Sequence, residues 1–149
     1  MRVVIASDHG GFNLKKVIIE HLKAKNIDYE DLGTFTEESV DYPDYGQAVG
    51  EAVASGKFDR GIIICGTGIG ISIAANKVPG IRAALCGDCF SAKASREHNN
   101  ANVLALGERV TGVEHAKMIV DIWLETEFSG GRHERRVNKI KEIERKYCK

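Results

Sequence analysis

No stretch of this sequence approaches the roughly 18 consecutive apolar residues that a membrane-spanning helix needs. The opening MRVVIASDHGG has an apolar run broken by Ser7 and Asp8, too short for the core of a secretory signal. A cytoplasmic location, away from membranes, is the expectation. Charge of one sign is also missing. Lys and Arg total 21, Asp and Glu total 21, and the formal net charge is zero. General binding to nucleic acid or to an anionic membrane surface is therefore not expected, although zero net charge is compatible with a local basic cluster. Cysteine is sparse: Cys65, Cys86, Cys89 and Cys148. Without a secretory signal they do not suggest a disulfide framework. Cys86-Gly87-Asp88-Cys89 has redox or metal-ligand spacing. A structural zinc site needs a second pair, however, and His98 and Cys148 do not form one. Aromatic and proline signals of a thioredoxin-like motif are also missing around it, so two cysteines flanking a strand-to-helix turn is the preferred reading.

What is present is an alternation of short apolar runs with helical periodicity. Residues 2–6, 27–32, 62–65, 81–86 and 103–106 read as strands. Leu14, Val17, Ile18 and Leu22 follow helical spacing with lysines on the other face, and Ala48, Val49, Ala52 and Val53 mark a helix closed by Gly56. Further helices are expected over 69–76, over 90–97 and around the stripe Ala116, Ile119, Val120 and Trp123, with a charged helix running to the end. Thr34–Asp44 is polar, carries Tyr42-Pro43 and reads as a loop. At 149 residues with 43% hydrophobic content, the chain suits one domain over residues 1–149. The expected fold is α/β: a three-layer Rossmann-like sandwich, a five-stranded parallel sheet flanked by helices. Ligands in such folds bind beyond the carboxyl ends of the strands at the topological switch point. That directs attention to the turns after the first and third strands.

The turn after the third strand is the most informative feature. Gly61 to Ser72 reads GIIICGTGIGIS: an apolar strand ends in Cys65, and Gly66, Gly68 and Gly70 follow at alternate positions. Glycines let the backbone turn tightly and bring several N–H groups to one ligand, and a helix start favours anions. One glycine would suffice for tight strand–helix packing, so three point to an exposed backbone cradle beside a thiol. No Gly-Lys-Ser/Thr follows, and the glycine spacing is not that of the dinucleotide fingerprint. A cysteine phosphatase loop would place Arg where this chain has Ile71. Asp8-His9-Gly10-Gly11 follows the first strand, where Asp8 suits either a helix cap or a site. His98-Asn99-Asn100 ends a helix, so these residues suit a C-cap. Arg132 and Arg136 share a helix face and form a fork suited to a phosphate dianion, although a solvated basic face is the usual fate of such a run. Val137, Ile140, Ile143 and Tyr147 form a narrow apolar stripe suited to packing on a partner subunit.

Taken together, Ser7-Asp8-His9-Gly10-Gly11, Asp41-Tyr42-Pro43, the Cys65–Gly70 loop, Ala74-Ala75-Asn76-Lys77, Arg96-Glu97-His98-Asn99-Asn100 and Gly107-Glu108-Arg109 resemble the ribose-5-phosphate isomerase B family. The resemblance runs in order over essentially the whole chain. It implies a metal-free aldose–ketose isomerase without cofactor, acting on ribose 5-phosphate and ribulose 5-phosphate in non-oxidative pentose phosphate metabolism. On the family's pattern Cys65 is the base at C2, Thr67 assists proton movement between substrate oxygens, and His98 with Asp8 opens the furanose ring. The Gly66, Gly68, Ile69 and Gly70 backbone stabilises the enediolate. His9, Arg109, Arg132 and Arg136 hold the phosphate, and Tyr42 and Asn99 contact the sugar. Family members are dimers or tetramers with shared sites, so His98 and Asn99 are expected from a neighbouring chain. A branch of the family carries a glutamate base just after the last loop glycine; with Ile71 there, this chain resembles the cysteine branch. Three alternatives stay open: a six-carbon substrate such as allose 6-phosphate, a non-catalytic phosphate- or nucleotide-binding module, and a thiol oxidoreductase based on Cys86 and Cys89.

Overall fold

The computed structural model describes residues 1–148; Lys149, at the end of the expected 1–149 domain, lies outside them. Five strands form one parallel sheet: β1 (Arg2–Ser7), β2 (Asp28–Asp31), β3 (Arg60–Cys65), β4 (Ala83–Leu85) and β5 (Val103–Gly107). Their order is β2-β1-β3-β5-β4. The chain leaves β1 on one side for β2 and returns on the other as β3. The switch point therefore lies between β1 and β3, where Ser7 registers with Ile64. The expected three-layer α/β sandwich is the observed one.

Each strand alternates its side chains between two cores. On one face Val3, Ile5, Ile62, Ile64, Leu104 and Leu106 pack against α1 (Phe12–Ala24), α4 (Cys89–Glu97) and α5 (Val113–Glu125). On the other, Val4, Ala6, Ile63, Cys65, Val103 and Ala105 pack against α2 (Tyr42–Ala54) and α3 (Ile69–Asn76). The run Ile62-Ile63-Ile64 is wholly buried because both faces are covered. Each isoleucine contributes about 1.5–3 kcal/mol of burial. The last helix, α6 (Arg132–Tyr147), buries only Val137. Ile140, Ile143 and Tyr147 stay exposed in the isolated chain.

Several boundaries and faces differ from the sequence expectation. Tyr42-Pro43-Asp44 forms the first turn of α2 and is not loop, because proline is tolerated in a first turn, where no intrahelical N–H bond is required. The fourth strand is shorter than 81–86: the Ile81 amide turns back to the Val78 carbonyl, leaving Ala83–Leu85 in the ladder. The final helix stops at Tyr147. Lys15 is not on a solvated face; it is buried, its Nζ donating to Asp31 Oδ1 at 2.7 Å and to the Thr34 carbonyl at 2.6 Å. Among the described residues no helix is long and apolar enough to cross a membrane.

Candidate active site

The loops after β1, β3 and β5 meet at the carboxyl end of the sheet. Cys65, the last residue of β3, is 5% exposed and looks into an open hollow of ≈ 380 Å³. Asp8, Tyr42, Gly66, Thr67, Ile69, Gly70 and Arg109 line the same hollow. Gly68 takes φ of 80°, a left-handed conformation that glycine adopts without steric penalty. The turn it makes aims its own amide back at the thiol, and Gly68 N–H donates to Sγ of Cys65 at 3.1 Å. Helix α3 begins at the next residue, so its first amides have no intrahelical acceptor, and Ile69 and Gly70 line the hollow. The Ile69 amide donates to Thr67 Oγ1 at 3.2 Å, which holds the threonine hydroxyl beside the loop.

The neighbouring loops are fastened to this one. Backbone amides of Glu108 and Arg109 donate to the carbonyls of Cys65 and Gly66, both at 3.0 Å. The Arg109 guanidinium thereby lies over Gly66, and the Tyr42 ring lies against Gly70. Glu108 reaches across with Oε1 to accept from the Leu14 amide at 2.6 Å, capping α1 from the far end of the chain. Asp8 Oδ1 accepts from Gly11 N–H at 3.1 Å, so the capping geometry available to Asp8 is realised while the residue still lines the hollow. His9 Nδ1 accepts from the Val40 amide at 3.1 Å. That bond places the ring proton on Nε2, the nitrogen left free for a ligand. Ile71, the residue after the last loop glycine, is fully buried in the core beneath α2.

The other four expected residues are elsewhere. His98 caps the C-terminus of α4, and α4 runs back from the carboxyl end of β4 to the start of the parallel strand β5. His98 and Asn99 therefore sit at the amino end of the sheet. Arg132 and Arg136 open α6 on the same side: the His98 ring stacks on His133 with centroids 4.4 Å apart and planes 16° apart. Burial, followed by the charges of His98, Arg132 and Arg136, pushes His133 below the usual imidazole value. His133 was not singled out from the sequence, because nothing local in the Arg-rich run signals a stack with a residue on α4. One chain thus carries two clusters at opposite ends of its sheet, a thiol end and a histidine end. No group of three His, Cys, Asp or Glu side chains is placed to hold a metal ion among the described residues.

The surface around the thiol end is apolar. Ile69 is 52% exposed, Ile73 55% and Val110 69%. Cys86 is buried and Cys89 partly so, both free thiols against the α4–α5 core. Burial, opposed by a weak contact to Ser95, pushes the Cys86 thiol up.

Comparison with known proteins agrees with this architecture. The Ribose/Galactose Isomerase family matches over residues 3–140. The ribose-5-phosphate isomerase B of Escherichia coli strain K12 is 52% identical over 145 residues, covering 97% of this chain and 97% of that protein. The structure of Clostridium thermocellum ribose-5-phosphate isomerase B superposes with a TM-score of 0.98 at 62% identity, over 99% of both chains. A ribose-5-phosphate isomerase B from Mycoplasma genitalium, solved with bound ribulose-5-phosphate, gives 0.93 at 45% identity over 97% of this chain and 96% of that one.

Proposed function

The chain belongs to the ribose/galactose isomerase family, and from that premise we propose that it interconverts D-ribose 5-phosphate and D-ribulose 5-phosphate through an enediolate. The observation that carries this reading is the Gly68 N–H donated to Cys65 Sγ at the mouth of the glycine loop. It sets a base and a row of amides on one hollow with the Arg109 cation beside them.

The thiolate of Cys65 removes the proton from C2 of the open aldose, and the electron pair moves into the C1 carbonyl to give the enediolate. Charge develops on oxygen at that moment, and the backbone amides of Gly66, Gly68, Ile69 and Gly70 are its donors, those of Gly68 and Ile69 shared with Cys65 Sγ and Thr67 Oγ1. Losing one such donor costs roughly 3–4 kcal/mol of barrier. Thr67 carries a proton between O2 and O1, and Cys65 returns its proton to C1. Tyr42 and Asn99 hold the sugar. His9, Arg109, Arg132 and Arg136 hold the phosphate and so fix C2 against sulfur.

Because His98, Asn99, Arg132 and Arg136 lie at the opposite end of their own sheet, they complete the thiol end of a second copy. The protein acts as a homodimer, or a tetramer built from one, with shared sites. The exposed apolar rim at Ile69, Ile73 and Val110 and the unburied stripe of α6 support such a contact. His98 of one copy then opens the ring beside Asp8 of the other. The reaction runs in the cytoplasm, in one domain over residues 1–149, without metal or cofactor. The test is kcat/KM for ribose 5-phosphate and allose 6-phosphate on one preparation, before and after EDTA. Preference for ribose 5-phosphate, unchanged by EDTA, is expected. Turnover of neither sugar would overturn the reading.

A further inference from the structure

We infer that Arg82, Arg96 and Asn100 are positioning residues that hold the His98–Asn99 turn in its working shape. The inference rests on the role proposed above for His98 and Asn99. Just past the end of α4, three consecutive carbonyls are engaged by guanidinium donors. Arg82 Nε donates to the carbonyls of Asn99 at 3.2 Å and Asn100 at 3.0 Å. Arg96 donates through one terminal nitrogen to the Ala101 carbonyl at 2.6 Å and to Asn100 Oδ1 at 3.0 Å. Asn100 itself sits at φ of 49°, a left-handed conformation that asparagine tolerates better than most side chains.

Helix capping alone does not account for this. The orphan carbonyls of a helix are those of its last turn, whereas the gripped ones lie beyond Glu97, in the turn itself. Arg96 is anchored away from the turn, and Arg82 at the residue that follows it. Arg96 is 4% exposed, and its Nε donates to the Thr126 carbonyl at 3.0 Å. The Arg82 amide donates to Asn102 Oδ1 at 2.8 Å. Burial, then the nearby Arg60 charge, lowers Arg96 only to about 10, so it remains a cation at neutral pH. The backbone of the turn is thus tied down while the side chains of His98 and Asn99 remain exposed, available to a ligand. Arginine suits this task because one planar fork serves several acceptors, which a lysine ammonium cannot do with fixed geometry.

The experiment compares Asn100→Ala, Asn100→Gly and Arg82→Ala with the parent in kcat and KM for ribose 5-phosphate. It also follows the His98 Cε1–H resonance, which feels the ring current of His133, and the far-ultraviolet circular dichroism of each variant. Asn100→Ala and Arg82→Ala are expected to lower kcat/KM by about tenfold to a hundredfold, the scale set by small misplacements of a reacting group. Their His98 resonance moves and their circular dichroism is unchanged. Asn100→Gly keeps the left-handed backbone and recovers part of the loss. Unaltered kcat/KM in Asn100→Ala and Arg82→Ala, with activity lost in Asn99→Ala, would overturn the inference and leave the isomerase reading intact. A parent protein without isomerase activity would overturn that reading instead. The His98 resonance would then decide the positioning alone, supporting it if it moves in the variants and refuting it if it does not.

Discussion

Gly68 donates its backbone N–H to the sulfur of Cys65 at 3.1 Å, a bond a chain can make only by doubling back within three residues. Left-handed φ at Gly68 permits it, and α3 starts immediately afterwards. The proposed base and the amides proposed to stabilise the anion are therefore one local unit. Cys65→Ala is expected to lower kcat by about 10²–10⁴, the usual contribution of a positioned base. Cys65→Ser should lie close to it, because a serine hydroxyl is too weakly acidic to supply the base. Steady-state assays at matched folding, checked by circular dichroism, decide it; near-normal turnover in Cys65→Ala would remove Cys65 from the mechanism.

The glycine loop also depends on its neighbour β5. A Cβ added at Gly107 would stand 2.5 Å from the Thr67 carbonyl oxygen, backbone against side chain with no flexible end to give way. Gly107→Ala should push the loop outward, costing about 1–3 kcal/mol of stability as overpacking. A loss of kcat larger than that stability change would accompany it. Urea unfolding and kcat measured on one preparation separate the two effects.

Mixing Cys65→Ala and His98→Ala proteins tests the proposed sharing of the site between copies. In a hybrid dimer of Cys65→Ala and His98→Ala chains, one site contains both substitutions and the other contains neither. Random exchange at equal concentrations makes half the dimers hybrid, so about a quarter of the parent's sites should become active. No recovery after subunit exchange, verified by native mass spectrometry, would refute sharing of His98 between copies.

Cys86 offers a pH test with a definite sign. Burial raises its folded-state value, so on raising pH the unfolded chain loses this proton first. Stability from the buried thiol is complete below the ordinary thiol range and declines as pH climbs through that range toward the raised value. The parent should therefore lose stability faster than Cys86→Ala between neutral and alkaline pH, by at most about 1.4 kcal/mol per pH unit. Denaturant midpoints across that range measure the difference, and parallel slopes would contradict it. A Cys86→Ser, Cys89→Ser double variant should keep its isomerase activity, and the parent should show no disulfide reductase activity.

His133 carries the opposite sign. Its imidazole is held below the ordinary value by burial, then by His98, Arg132 and Arg136. The folded state therefore resists protonation, and stability is lost as pH falls from the unfolded imidazole's value toward the depressed one. An NMR titration should show His133 gaining its proton at lower pH than an unperturbed histidine. His98→Ala should move that midpoint upward.

How far the sequence is readable depends on the range of each interaction. Residues 62–65 announce a buried strand because every side chain in the run is apolar, and the Cys65–Gly70 turn announces a cradle because glycines at alternate positions have a local backbone purpose. Tyr42-Pro43 misled, since proline reads as a break whether it lies in a loop or in a helix's first turn. Lys15 misled because the carboxylate of Asp31 and the carbonyl of Thr34 that allow its burial belong to another element. The stack of His98 on His133 and the grip of Arg82 on the Asn99 turn left no local mark.

The sequence by itself determined the alternation of strands and helices, the two apolar faces of the sheet, and the thiol at a glycine-rich turn, because each follows from side-chain period or local backbone freedom. Only the tertiary structure decided which motifs share an end of the sheet. Strand order places Asp8, Cys65 and Arg109 together, since β1, β3 and β5 are neighbours running the same way. The same parallel ladder sends α4 back to the opposite end, and His98 with it. Parallel strands force that separation: whatever follows a strand and whatever precedes the next must lie at opposite ends.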